Sequence, residues 1–174
     1  MRVIIINELF TMGGTEVQSK REKKFLEEKG HEVLYLTFDP RFPEGWDREM
    51  SGHYNFVTKH NKLQAKLFLL FQDKKLRVKL DQIINQFNPD YIHVNNTTDH
   101  AIVILKAVAN MKCFQTIRDY SAVCPTGLCV DKENKICTGT ECRKCIKKCM
   151  PENHKLKFMY RLLVYKHVNK IRKK

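Results

Sequence analysis

Six of the chain's seven cysteines fall between Cys124 and Cys149, and thiols packed that densely are metal ligands, disulfide partners or free thiols. Cys142 and Cys145 form a C-x-x-C step, the spacing at which two thiolates share one metal ion. Cys124 and Cys137 are suited to close a tetrahedral zinc site with them, because so long a loop inside a domain needs something to order it. The expected ligands are therefore Cys124, Cys137, Cys142 and Cys145. Four thiolates make a closed, structural site with no position open for catalysis. The N-terminal apolar run is too short, and too soon followed by Asn7 and Glu8, for a secretory signal. The expected location is cytoplasmic, where metal is favoured over disulfides.

The second stretch with chemical potential is MRVIIINELFTMGGTE, Met1 to Glu16. Val3 to Ile6 is an unbroken β-branched run, the mark of a strand buried on both faces. Gly13 and Gly14 follow, and Thr15 and Gln18 are spaced as a helix N-cap with its reciprocal N3 partner. Strand, glycine turn and helix aim backbone N–H groups and the positive end of a helix dipole at one spot, where a phosphate is the natural occupant. The plainer alternative is a tight loop. Neither the three-glycine dinucleotide fingerprint nor the Gly-Lys-Ser/Thr phosphate loop is present, so dehydrogenases and nucleoside triphosphatases are not expected.

The elements that would position these residues alternate strand and helix. The helix from Thr15 stops at Gly30, a residue suited to the left-handed position past a helix end, and His31 to Phe38 reads as a second strand. Asp39 to Gly52 reads as an irregular loop. Tyr54 to Val57 is a third strand, Asn61 to Phe87 a helical pattern with a break near Asp73, and Asn88-Pro89-Asp90 a turn into a fourth strand at Tyr91 to Val94. Thr98 or Asp99 is placed to cap the next helix, and Cys113 to Ile117 is a fifth strand. These units predict an α/β fold, a doubly wound parallel sheet in order 3-2-1-4-5. One domain spans residues 1–174, with a cysteine-rich insert over 119–150 and a basic helix over 151–174. Ligands bind such sheets where the loops leaving the first and fourth strands diverge. Those loops carry Gly13-Gly14 and Asn95-Asn96-Thr97. His93, inside a strand, reads as a satisfied core residue.

Thirty-two Lys and Arg against nineteen Asp and Glu give a formal charge of +13, which points to a polyanionic partner. No segment has the ~18 consecutive apolar residues of a membrane span. The basic residues gather at Lys59 to Lys79, interleaved with Leu67 to Phe71, and at Lys155 to Lys174. Such stretches suit either an anionic membrane interface or a core helix with a solvated lysine face.

An ordered set of motifs runs through the chain: Gly-Gly-Thr-Glu at Gly13 to Glu16, Lys-Gly-His-Glu-Val at Lys29 to Val33, Asn-Pro-Asp at Asn88 to Asp90 before Tyr91-Ile92-His93-Val94, and Thr-Ile-Arg-Asp-Tyr at Thr116 to Tyr120 before Cys124-Pro125. This set resembles the N-terminal domain of family 4 glycosyltransferases, enzymes of two Rossmann domains (the GT-B architecture), over Met1 to about Lys170. The resemblance implies a retaining hexosyltransferase that moves a sugar from a nucleotide-sugar donor to a cell-surface polysaccharide or lipid-linked precursor, peripheral at the inner membrane face. It implies substrate or phosphate contacts at Gly13, Gly14 and Thr15, and an acceptor side at Asn95, Asn96, Arg118 and Asp119. Many members carry histidine where this chain has Arg118. That histidine's role does not carry over, and Arg118 is left as a phosphate or carboxylate ligand or half of an ion pair with Asp119. A cysteine-rich insert is common at this place in similar enzymes. The family's second Rossmann domain, which carries most nucleotide contacts, lies beyond this sequence, so a partner domain in cis or trans is expected and the 174 residues alone should not turn over donor.

A second reading, a zinc-containing basic nucleic-acid-binding module, accounts for charge and cysteines. It leaves the Rossmann pattern unexplained, and the aromatic-on-strand arrangement of common RNA-binding sheets is missing. Nucleic acid is thus the less expected partner.

Overall fold

The structure is a computed structural model that describes residues 1–11, 13–46, 50–58, 60–137, 149 and 155–173, with the backbone alone at positions 62, 96 and 155. Two compact units make it up, Met1–Thr116 and Ile117–Lys174.

The first unit is built on a five-stranded parallel sheet in the order β3-β2-β1-β4-β5. Its strands are β1 (Arg2–Asn7), β2 (Glu32–Thr37), β3 (His53–Asn55), β4 (Tyr91–Asn96) and β5 (Cys113–Gln115). The expected topology is the observed one, and Rossmann-like. β1 is central, paired with β2 from Arg2–Glu32 to Ile6–Leu36 and with β4 from Val3–Tyr91 onward. Its run Val3 to Ile6 is wholly excluded from solvent, because alternate residues feed two cores. Ile4 and Ile6 meet Leu36, Ile92, Val94, Leu80, Ile84 and Ile104 on one face. Val3 and Ile5 meet Phe10, Val33 and Tyr35 on the other. Each such side chain contributes about 1.5–3 kcal/mol on burial, which is why a central strand tolerates no polar residue until the sheet ends at Asn7.

The helices are α1 (Gly14–Glu28), α2 (Lys62–Phe68), α3 (Lys74–Phe87) and α4 (Ala101–Val108). The break expected near Asp73 separates α2 from α3, since Asp73 caps α3 by accepting the Leu76 N–H at 3.1 Å. Asn61 opens α2 with a reciprocal capping box to Gln64. α3 ends on Asn88 in the left-handed region, just before Pro89. Two expected caps are corrected. Thr15 does not cap α1: Gly13 is the N-cap, so Thr15 lies inside the first turn, where its carbonyl accepts from the Ser19 hydroxyl at 3.0 Å. Neither Thr98 nor Asp99 caps α4. His100 holds that position without a side-chain capping bond to the helix, and the Thr98 N–H is turned to Glu8.

The loop after β2 has no regular structure among its described residues, yet it is pinned. Asn55, fully buried, accepts from the Thr37 hydroxyl and the Asp39 N–H and donates to the carbonyls of Asp39 and Phe42.

In the second unit, a 3-10 turn at Tyr120–Ala122 is capped by Asp119, which accepts the Ser121 N–H at 2.8 Å. A tight turn at Asp131 folds Val130 back against Ile136. The last helix, α5, spans Lys155–Arg172. No helix among the described residues is long and apolar enough to cross a membrane.

Candidate functional site

Between Ile6 and Asn7 the β1–β4 register slips: Ile6 pairs with Val94 but Asn7 with Asn96. One residue of β4 is thereby left over at the point where the strand order reverses, and it is Asn95. Asn95 is fully buried and its amide donates to Ser19 of α1. It ties strand to helix and is not exposed to a ligand. Asn96 closes β4 as the partner of Asn7.

The Gly13-Gly14 turn lies beside this bulge. Gly13 has φ 91°, a conformation that side chains rarely adopt, whereas Gly14 is the first residue of α1 with open space where a Cβ would stand. Just inside the helix, Glu16 is buried and accepts from Asn7 Nδ2 at 3.3 Å, and a Cβ on Gly13 would come within 3.5 Å of its Oε2. The chain thus places its own carboxylate at the positive end of α1. An incoming phosphate would have to share the turn with that charge. Below it lies the buried hydroxyl of Tyr35, its pKa pushed well above the ordinary phenol value by burial.

On the other face of the sheet, the C-terminal ends of β1 and β4 and the loop after β3 enclose a cleft of about 330 Å³. Its polar wall is Glu8, Thr58, His60, Asp73, Thr98, Asp99 and His100, and its apolar wall includes Phe38 and Phe68. Glu8 Oε2 accepts the Thr98 N–H at 3.0 Å, and Glu8 Oε1 is paired with His100 Nδ1. His100 Nε2 lies 3.2 Å from Thr58 Oγ1, and the imidazole stacks on Phe38 at 4.8 Å. Burial works against the imidazolium, but the charge and hydrogen bond of Glu8 outweigh it and raise the His100 pKa. Asp99 is raised by burial and by the nearby Glu8. His60 Nε2 is 2.9 Å from Asp73 Oδ2. A second hollow, of about 510 Å³, shares Thr58, His60, Phe68 and Asp73 with the first and adds Glu44, Lys75 and Lys79.

None of these cleft residues was predicted as a ligand. Glu8 merely ends an apolar run in the sequence, and His100 and Asp73 stand 92 and 65 positions from it, in no recognisable spacing. The usable signal was a polar Asn-Glu pair ending the central strand, since ligands gather at strand C-termini.

His93 is the satisfied core residue expected, buried between Glu22 at 2.6 Å and Thr116 at 2.8 Å. Arg118 and Asp119 are exposed and belong to the second unit, where Asp119 serves as the cap already described. In the same unit, Cys124 carries a thiol that burial pushes up but that the Thr126 hydroxyl and the N–H groups of Cys129, Thr126 and Leu128 bring down to about 7. The Cys137 N–H donates to the Cys129 carbonyl at 2.8 Å. Cys142 and Cys145 lie outside the described residues; among those described, Cys129 is hydrogen-bonded to Cys124 and interacts with Cys137 and Cys149, but no three His, Cys, Asp or Glu side chains are arranged to hold a metal ion.

No family model matches the chain. Over 144 residues it is 28% identical to a Klebsiella pneumoniae protein described as an uncharacterized 42.6 kDa protein in cps region, an alignment that covers 72% of this chain. The chain spans 38% of that protein's length.

Proposed function

We propose that this chain is the acceptor-side Rossmann-like domain of a retaining glycosyltransferase that adds a sugar from a nucleotide-sugar to a cell-surface polysaccharide or lipid-linked precursor. The observation that carries the reading is the polar cleft at the C-terminal ends of β1 and β4 in a 3-2-1-4-5 sheet, the place where this topology binds ligands. The similar Klebsiella protein's cps (capsule) region agrees with polysaccharide synthesis in general terms. Donor contacts fall mainly to a second Rossmann domain in cis or trans, and the acceptor lies against this one.

A lipid-linked acceptor implies work at a membrane surface. Leu63, Leu67 and Phe71 repeat every four residues along and just past α2 and are 67%, 44% and 63% exposed, with Lys66, Lys74 and Lys75 exposed around them. An apolar stripe edged by lysines suits the interface of an anionic bilayer, where each lysine contributes about 1 kcal/mol. Structural zinc on Cys124, Cys137, Cys142 and Cys145 belongs to the same proposal.

The test is a 15N–1H NMR titration of the 174-residue chain with a short-chain polyprenyl-diphosphate disaccharide, whose terminal ring carries no phosphate, with nucleotide-sugars, and with a random DNA duplex. Shifts at Glu8, Thr98 and His100 with the glycosyl acceptor, and no sugar transfer by this chain alone, are expected. Shifts with DNA only, or none at the sheet edge with any glycosyl ligand, would overturn the reading.

A further inference from the structure

The charge pattern of the cleft selects among acceptor sugars, an inference that rests on the glycosyltransferase reading above. The wall holds three carboxylates, those of Glu8, Asp73 and Asp99, against the imidazoles of His60 and His100. His100 is spoken for on both nitrogens. As an imidazolium it donates through Nδ1 to Glu8 and through Nε2 to Thr58 Oγ1. The Thr58 hydroxyl, with that lone pair engaged, is left as a donor to a ligand. The one cation of the dyad therefore faces chain atoms and does not serve an incoming anion. Asp99, at the rim, adds a further acceptor whose charge is costly next to Glu8.

Carboxylate acceptors, a hydroxyl donor and aromatic surface from the half-buried Phe68 are the groups that hold a sugar ring: hydroxyls on the first two, C–H faces on the third. A volume of about 330 Å³ is at the small end of the roughly 300–1,000 Å³ range of ligand pockets, on the order of one ring. A carboxylate or phosphate on that ring would face Asp99 and Asp73, and among the described residues no lysine or arginine lines the cleft, whereas an amine or hydroxyl would gain from those carboxylates.

We propose that this cleft receives the terminal ring of the acceptor and requires that ring to carry no acid group: it takes a neutral or amino hexose and rejects uronic acids and phosphorylated sugars.

The experiment is saturation-transfer NMR on the 174-residue chain with methyl β-galactoside, methyl β-glucosaminide and methyl β-glucuronide, with backbone amide shifts as the locator. The galactoside and glucosaminide are expected to bind and to shift Thr98 and His100, and the glucuronide to bind about fivefold or more weakly. Asp99→Asn should narrow that gap by about threefold. Thr58→Val, which leaves every carboxylate in place, should weaken all three glycosides alike. Equal or tighter glucuronide binding at these amides, or a gap unmoved by Asp99→Asn, would overturn the proposal. Absence of glycoside binding at the cleft, with the lipid-linked acceptor still shifting the sheet edge, would sink this inference alone. Silence of both ligands would sink it together with the glycosyltransferase reading.

Discussion

His100 Nδ1 is hydrogen-bonded to Glu8 Oε1 across 92 residues of sequence, and the pair closes the floor of the cleft where β1 and β4 end. The same glutamate accepts the Thr98 N–H, so one carboxylate holds both the side chain and the backbone of the β4–α4 connection. The folded pKa of His100 lies above its ordinary 6.5. A group raised in this way lends stability that is fully present below pH 6.5 and is lost as pH rises through the folded value. The melting temperature should therefore fall as pH is raised from about 6.5, and His100→Gln should flatten that limb. Glu8→Ala should cost about 1–3 kcal/mol by leaving the imidazolium and the Thr98 N–H unpaired. Thermal melts from pH 6 to 9 check both. A slope unaltered in His100→Gln would refute the role of the pair.

Asp39 should govern the acid limb. Burial pushes its carboxyl up, but the Arg41 side chain and the N–H groups of Phe10 and Arg41 hold it below 3.8. A depressed carboxylate contributes above its unfolded pKa and loses that contribution as pH falls through the folded one. Asp39→Asn is expected to lower stability at pH 7 and to reduce its fall in acid. Asn55→Ala, which leaves several buried groups of the same loop unpaired, should cost about 1–3 kcal/mol at any pH. Urea titrations at pH 3.5 and pH 7 separate the two behaviours.

The two glycines of the turn should respond in opposite directions. Gly13→Ala meets a φ of 91° and should destabilise by about 1 kcal/mol or more. Gly14→Ala, helical and with open space around it, should stabilise by about 0.5–1 kcal/mol through a less flexible unfolded chain. Equal effects in urea unfolding would mean that the turn does not require the left-handed conformation.

Zinc, if held by Cys124, Cys137, Cys142 and Cys145, should appear at one ion per chain in freshly purified protein. Its removal by chelator should expose those thiols and lower the melting temperature, and Cys124→Ser should abolish the binding. Metal-free protein with reducible cross-links would reverse the assignment.

Replacing Leu63, Leu67 and Phe71 together by serine should lower sedimentation with phosphatidylglycerol vesicles by about tenfold. Because all three are exposed, each change should leave stability within about 0.5 kcal/mol. Equal and negligible binding to anionic and neutral vesicles would remove the membrane surface as a partner.

What the sequence determined by itself is whatever depends on local pattern. The β-branched run Val3 to Ile6 required a strand with two buried faces, alternating strands and helices required parallel pairing, and Asp73 and Asn88-Pro89 set helix ends that the structure reproduces. Those signals lie within a few residues of the feature they specify. Only the tertiary structure decided which polar residues meet. Gly13 stands in the expected turn, but Asn95 lies within β4 rather than in the expected loop and donates to Ser19, and Glu16 sits at the helix end intended for an anion. Glu8, Thr58, Asp73 and His100, unremarkable apart, share one cleft because four chain segments end at the same edge of the sheet. Side-chain partnership across so many residues is set by strand order and register, and no local spacing encodes it.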